Sequence, residues 1–303
     1  MSGLPSVEVV IPTHHRPELV RAAIDSVRAQ DYDGALRVLV VFDRAEPDES
    51  LVTDARVPVR VVRNARTPGL CGARNTGVLA SSAELVAFLD DDDRWLPGKL
   101  ARQVELLQAR PDALFASTST RVEFDGAHTD RLAGTDSVTH ERLLESRMSM
   151  LHSSTFLIRR AAMLGVGGLV DEAAPQGQNE DYEILLRYSS LAPIAHLDEP
   201  LVAIRWGSTS LFAQAWQSKL DGARWVLERH PDIETSRIGY ARLLGQIAFA
   251  HAALKQRRAA WRVATAAVRV RWREPRGYLA MLAAAGVRPS FILETLHKRG
   301  RGV

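Results

Sequence analysis

A single cysteine, Cys71, in 303 residues excludes any disulfide within the chain and suits a reducing compartment. No stretch reaches the roughly 18–20 apolar residues that a membrane span requires. The opening MSGLPSVEVVIPTHHRPELV has neither the basic start nor the long apolar run of a secretory signal. The expectation is a cytoplasmic protein, free or resting at the inner face of the membrane. Strand signals are also lacking beyond about Leu211, where alanine is dense and loop punctuation sparse.

What is there reads as an ordinary globular chain, 46% hydrophobic and 25% charged. Its length accommodates one large α/β domain and a helical region. Residues 1–210 are expected to form the first and residues 211–303 the second. Net charge is +3 but unevenly spread. From His251 onward, 12 Lys and Arg face only Glu274 and Glu294, so the rest of the chain is net acidic. A basic end on an acidic body suits an anionic lipid surface or another subunit, and a solvated helix face is the plainer reading.

Val7–Ile11 is a short apolar run closed by Pro12, which predicts a buried strand. Leu19, Ala23, Ile24 and Val27 follow at helical spacing, with Pro17 where a first turn tolerates it. Leu36–Phe42 and Val57–Val62 predict two more strands. This βαβ rhythm points to a parallel sheet with helices on its faces. Leu85–Leu89 predicts another buried strand, Leu114–Val122, Ser154–Ile158 and Pro200–Trp206 further ones, and Lys99–Gln108 and Asp181–Tyr188 helices. Ala213–Glu228, Ile238–Lys255, Arg257–Val270 and Tyr278–Ala285 predict the helical region.

The strand at Leu85–Leu89 runs directly into Asp90, Asp91, Asp92 and Asp93. Four adjacent carboxylates repel and raise one another's pKa, and a divalent cation removes that cost. Carboxylate oxygens suit Mg²⁺ or Mn²⁺, which also coordinate substrate phosphates. The carboxyl end of a parallel strand is where open α/β sheets bind ligands. A second element, VIPTHHR at Val10–Arg16, leads a strand into a helix N-terminus, which favours anions. Arg16 can add a phosphate or base contact. A third, NEDYEILLR at Asn179–Arg187, sets Glu180 and Asp181 at the start of a helix. Carboxylates are electrostatically welcome there, and one within reach of a hydroxyl can act as a general base.

Taken in order, these motifs resemble family 2 glycosyltransferases. The resemblance rests on Val10–Arg16, Val40–Asp43, Asn64–Gly77 with Ala73, Arg74 and Asn75, Phe88–Asp93, and Glu180–Asp181. Trp95, Pro97, Lys99, Leu100 and Gln103 match what usually follows the acidic motif, and the likeness spans about residues 7–206. It implies a GT-A fold: a Rossmann-like, mostly parallel sheet flanked by helices that binds a nucleotide sugar. It implies that Pro12, Thr13, His14 and Arg16 line the nucleotide pocket, that Asp43 contacts the base, and that Arg74 contacts the base or diphosphate. Asp90, Asp91 and Asp92 then form the DxD-type site, with Asp92 the principal metal ligand, Asp90 a second, and Asp90 or Asp91 oriented to the ribose or a metal-bound water. Asp181 is implied as the catalytic base, with Glu180 in support.

The implied reaction is an inverting, metal-dependent hexosyl transfer from a nucleotide sugar to an acceptor hydroxyl, in polysaccharide, glycolipid or natural-product glycosylation. UDP is the favoured nucleotide. Phe42 and the pair His14–His15 depart from the usual pattern, which leaves guanosine and thymidine donors open. His152, Ser153 and Ser154 fall where relatives have small or polar residues facing the acceptor. Trp206 can stack on a sugar ring or pack in the core. Cys71 has no neighbouring His or Cys in sequence to activate it. The basic helices suit peripheral membrane contact or homodimerisation, and no nucleic-acid module accompanies the charge. Two other functional classes stand beside the enzyme: a non-catalytic nucleotide-sugar-binding scaffold and a nucleotidyltransferase. The latter would show a glycine-rich loop where this chain has Pro-Thr-His-His.

Overall fold

The computed structural model describes residues 3–124, 126–206 and 216–297. The expected boundary at 210/211, the helix start at Ala213 and the last basic residues, Lys298, Arg299 and Arg301, lie outside the described residues.

The chain divides into two compact units. The first comprises residues 1–140, 148–172 and 184–210; the second comprises 141–147, 173–183 and 211–303. Two short segments from the first two hundred residues thus group with the C-terminal helices.

The first unit is an α/β sandwich. In chain order its strands are β1 (Val7–Thr13), β2 (Leu36–Phe42), β3 (Val59–Arg63), β4 (Leu85–Phe88), β5 (Arg94–Trp95), β6 (Phe115–Phe124), β7 (Ala127–Arg131), β8 (Ser137–Val138), β9 (Leu157–Arg159) and β10 (Ile194–Arg205). The sheet order is β3-β2-β1-β4-β9-β6-β10-β5, with β7 on β6 and β8 on β10. Pairing is parallel from β3 through β4 and again between β6 and β10. β9 is antiparallel to both β4 and β6.

Every residue of β1 is buried, as the continuous apolar run of a central parallel strand requires. Helices α1 (Pro17–Arg28), α2 (Leu70–Ala80) and α3 (Lys99–Ala109) cover the sheet. The predicted face Val20, Ala23, Ile24 and Val27 is the buried face of α1, and it joins Val9, Val38 and Ala87 in the main core.

Two expectations shifted. Ser154–Ile158 divides into a 3₁₀ turn, Ser153–Thr155, and the shorter β9, because the Thr155 and Phe156 N–H groups close back onto the His152 and Ser153 oxygens instead of joining a ladder. The strand expected as an edge strand at Pro200–Trp206 begins earlier, at Ile194, lies inside the sheet between β6 and β5, and carries register shifts around Pro200.

Three short helices follow β8: α4 (His140–Glu145), α5 (Arg160–Leu164) and α6 (Glu180–Ser189). The second unit holds α7 (Trp216–Arg229), α8 (Arg237–Ala253), α9 (Arg257–Val270), α10 (Pro275–Ala285) and α11 (Pro289–His297). Its core is built from Ala248, Phe249, Ala252, Ala260, Ala264, Ala280, Ala283, Ala284 and Ile292. Ser236 caps α8, its hydroxyl accepting from the Gly239 N–H. No helix of the described residues is long and apolar enough to cross a membrane.

Candidate functional site

The tip of β1 and the loop after β4 meet because the two strands are paired in register, Val10 opposite Phe88. This brings Thr13 Oγ1 to donate to Asp91 Oδ2 at 2.7 Å. Arg16, just before α1, donates to Asp91 Oδ1 and to Asp92 Oδ2, each at 3.0 Å. Burial pushes the Asp91 carboxyl up to about 6, against the pull of Thr13 and Arg16 and with the push of Asp92 and Asp90. Asp92 is also raised, by burial and by Asp90. Raised carboxyls around one loop are a mark of functional sites.

Asp90 has a different environment. Arg74, fully buried on α2, donates to Asp90 Oδ1 at 2.6 Å and to Ser153 Oγ at 2.8 Å. Ser153 in turn donates to Asp90 Oδ2 at 3.1 Å. Burial works against ionisation of Asp90, but the charges of Arg74 and His152 outweigh it and hold the carboxyl below its ordinary value.

Asp93 is buried and lies well above the ordinary range, through desolvation and repulsion from Asp90 and Asp92. Ser154 Oγ donates to Asp93 Oδ2 at 2.6 Å and accepts from the Asp90 N–H at 3.0 Å. His152 Nδ1 stands 3.4 Å from Asp93 Oδ2. One ligand atom each from Asp90, Asp93 and His152 fall within 4.8 Å of one another.

These donors fit a divalent cation. Two carboxylates and an imidazole are an ordinary ligand set for Mn²⁺-type ions, and repulsion between Asp90 and Asp93 is the cost that a cation removes. The family resemblance implies Asp92 and Asp90 as the ligands. In the structure Asp92 turns to Arg16, its side chain 38% exposed, and Asp93 takes the inward position. Pocket-lining side chains here include Leu19, Ala22, Asp91, Asp92, Asp93 and Arg205.

Asp43, at the end of β2, accepts from Asn64 Nδ2 at 2.8 Å and from the Gly69 N–H at 2.9 Å, both at Oδ1. His14 Nδ1 lies 2.7 Å from the Asp43 backbone oxygen. Pro12 is the buried penultimate residue of β1. Asn75 clamps a later loop to α2: its amide donates to the Val170 oxygen and its oxygen accepts from the Val170 N–H. Asn75 also donates to Glu172 Oε1 at 2.7 Å, and Arg66 pairs with the same carboxylate.

Burial opposes ionisation of Glu172, but these hydrogen bonds override it and hold the carboxyl at about 2. Its native pKa is therefore below the unfolded value, so its contribution to stability is present above about pH 4.5 and lost as pH falls through about 2. Glu172→Gln is expected to flatten the acid limb of a pH series of thermal melts in that window. An unchanged acid limb would show that the clamp adds nothing to stability.

In the second unit, Asp181 is buried at the start of α6. Arg147 Nη2 donates to both of its carboxylate oxygens at 2.8 Å. Glu180 precedes it and is also buried. Tyr182 anchors the turn, its hydroxyl donating to the Leu143 oxygen at 2.7 Å. Gln176, in the polar loop before α6, accepts from the Ser218 hydroxyl. Trp206 is 46% exposed, with the Arg131 guanidinium 4.4 Å from its ring centroid. It therefore does not fill the core. Cys71 is buried.

The structure thus gathers Thr13, Arg16, Arg74, Asp90, Asp91, Asp92 and Ser153 around one loop, and adds His152 to it. Neither Asp93 nor Arg147 has a role of its own expected from the sequence, and Ser154, expected there to face the acceptor, holds Asp93 and the Asp90 N–H. Only the adjacency of Asp93 to Asp90, Asp91 and Asp92 points to it, and Arg147 carries no signal at all.

The model of the family described as "Glycosyl transferase family 2" matches residues 8–165, more than half of the chain. The chain belongs to glycosyl transferase family 2. Its likeness to an uncharacterized glycosyltransferase of Haemophilus influenzae is 24% identity over 185 residues, 60% of this chain and 61% of that protein. The chain thus spans less than two thirds of that family member.

Among solved structures, S. aureus TarS 1–349 in complex with UDP-GlcNAc superposes with a TM-score of 0.66 at 15% identity, over 98% of this chain and 92% of that one. The mannosyltransferase PcManGT of Pyrobaculum calidifontis, in complex with GDP-Man and Mn²⁺, gives 0.57 at 19% identity, over 94% and 87%. These likenesses establish the GT-A fold for the family member described here.

Proposed function

We propose that the chain is an inverting glycosyltransferase that moves a sugar from a nucleotide-sugar donor, UDP-linked by preference, to an acceptor hydroxyl on a glycan, lipid-linked or small-molecule acceptor. The observation that carries this reading is the acidic loop at Asp90–Asp93. It combines convergent carboxylates with two buried or half-buried arginines at the mouth of a parallel sheet, and a diphosphate needs both.

In this reading residues 1–210 bind the donor. Thr13, His14 and Arg16 follow the β1 strand to the nucleotide, with Pro12 shaping the strand end. Asp43 faces the base and Arg74 supports the diphosphate side. Asp90, Asp93 and His152 would hold Mg²⁺ or Mn²⁺, and that ion, when bound, supplies Lewis acidity toward the departing phosphate. Asp91 and Asp92 keep Arg16 in place beside the phosphates. Ser153 fixes Asp90, and Trp206 offers an apolar face to an acceptor sugar.

Asp181 takes the proton from the acceptor hydroxyl as its oxygen forms a bond to the anomeric carbon. The bond from that carbon to the phosphate oxygen breaks, and the electron pair leaves with the nucleoside diphosphate. Attack opposite the leaving group inverts the configuration. Arg147 orients Asp181, and Glu180 supports the helix start.

The test is a thermal-shift panel of UDP-, GDP- and dTDP-sugars with and without Mn²⁺. A ligand at a hundred times its dissociation constant stabilises the fold by about 2.7 kcal/mol, several degrees for a domain of this size. The expected result is a shift with one nucleotide class that needs the cation, followed by release of nucleoside diphosphate on adding acceptor. No shift with any donor would sink the reading. A shift without turnover of any acceptor would favour a binding scaffold.

A further inference from the structure

We infer that the helical unit carries a docking face for an anionic lipid surface, formed by exposed arginines and aromatic rings of α9, the turn after it, α10 and α11. The inference does not rest on the glycosyltransferase reading.

Helix α9 has two faces. Ala260, Ala264 and Ala267 are its buried stripe. Arg258, Arg262, Thr265 and Arg269 recur at intervals of four, three and four on the opposite side, and the three arginines are exposed. Trp261 stands at the flank of that stripe, 45% exposed. In the turn that follows, Trp272 is 67% exposed, with the Arg273 guanidinium 4.7 Å from its ring centroid. The hydroxyl of Tyr278, near the start of α10, donates to the Trp272 oxygen at 2.8 Å. Leu282, one turn further along α10, and Phe291 of α11 are 51% and 63% exposed.

None of these rings is needed to fill the core, which is built from alanines with Phe249 and Ile292. Nor is the positive charge answered locally. Among the described side chains of residues 255–297 the one carboxylate is Glu274, buried and paired with Arg276 at 2.7 Å. Among the described side chains the outward face therefore presents cations and apolar rings without a counter-charge.

This chemistry selects among occupants. The arginines call for anions, and the exposed rings and Leu282 call for an apolar layer. The headgroup boundary of an anionic bilayer offers both within a few ångströms, where Trp, Tyr and Arg settle with their apolar parts inward. A second copy fits poorly. A two-fold contact of this face with itself would bring two cationic patches together, with no exposed carboxylate among their described side chains to pair them. A nucleic acid would satisfy the arginines but would leave Leu282 and Phe291 in water.

The experiment is co-sedimentation of the full chain with phosphatidylcholine vesicles, with and without phosphatidylglycerol, at low and high salt. The expected result is partitioning about tenfold stronger onto the anionic vesicles, with a blue shift of tryptophan emission and loss at high salt. Trp261→Ser with Trp272→Ser should weaken it at least about tenfold, and so should Arg258→Glu with Arg262→Glu. Melting curves of each variant report whether the fold survives. Trp272→Ser alone, at the most exposed position, serves if a double variant unfolds. Equal partitioning onto neutral vesicles, no partitioning, or variants that bind like the parent would each overturn the inference. So would RNA binding or self-association that is lost in the arginine variant while vesicle binding is absent.

Discussion

Asp181→Asn is expected to bind donor as the parent does and to lose transfer by about 10²–10⁴-fold, the usual worth of a positioned general base. The Asn side chain keeps the shape and an oxygen toward Arg147, which in the parent grips both carboxylate oxygens. What it cannot do is accept the acceptor's proton. The fold should survive, because the Arg147 side chain is 44% exposed and water can solvate it once the charge pair is gone. Single-turnover release of nucleoside diphosphate, beside calorimetric titration of the donor, separates the two effects. Parental turnover in the variant would place the base elsewhere. Arg147→Ala should produce a smaller loss, confined to kcat, if the guanidinium only orients the carboxylate.

A second large effect is expected at Asp93. Its carboxylate is buried, repelled by Asp90 and Asp92, and held by the Ser154 hydroxyl. As a cation ligand it should be indispensable: Asp93→Asn is expected to weaken Mn²⁺-supported donor binding by about 100-fold or more. As a structural element it is costly, since burial and the neighbouring Asp90 and Asp92 disfavour its charged form in the folded chain. The melting temperature of the Asn variant, measured without metal, should therefore equal or exceed that of the parent. A variant that melts much lower and binds donor normally would make Asp93 a structural residue. Asp92→Asn, whose side chain lies at the more exposed edge on Arg16, should cost less than Asp93→Asn in the same titration.

The contrast between Asp92 and Asp93 shows where sequence reasoning ran out. A strand of apolar residues ending in four carboxylates announces a charged loop at the end of a sheet, and the parallel register of β1 with β4 put it there. Which carboxylate turns inward depends on the turn after Phe88 and on hydroxyls more than sixty positions later in the chain, at Ser153 and Ser154. No local pattern encodes those partners.

The helices read well for the converse reason. The α1 face of Val20, Ala23, Ile24 and Val27 is a local periodicity, and burial follows it directly. The stretch at Ser154 is a turn rather than a strand because its backbone donors bond three residues back. Arg147 is a single arginine in a loop-like stretch, and only folding brings it to Asp181.

Gly77 of α2 lies so close to β1 that a Cβ there would fall 2.3 Å from Val10 Cγ1. Gly72, earlier on the same helix, would meet the Thr67 backbone oxygen at 1.9 Å. The Val10 side chain of β1 therefore packs directly on the backbone of α2 at Gly77, and the backbone of the loop at Thr67 packs on it at Gly72. Arg74 stands between the two glycines, and Thr13 stands three residues beyond Val10. The inner edge of α2 is thus set by two close approaches, and Arg74, seated between them, is aimed at Asp90 by both. A methyl group at Gly77 would meet the Val10 side chain and one at Gly72 the Thr67 carbonyl, so either would shift the helix that carries the arginine.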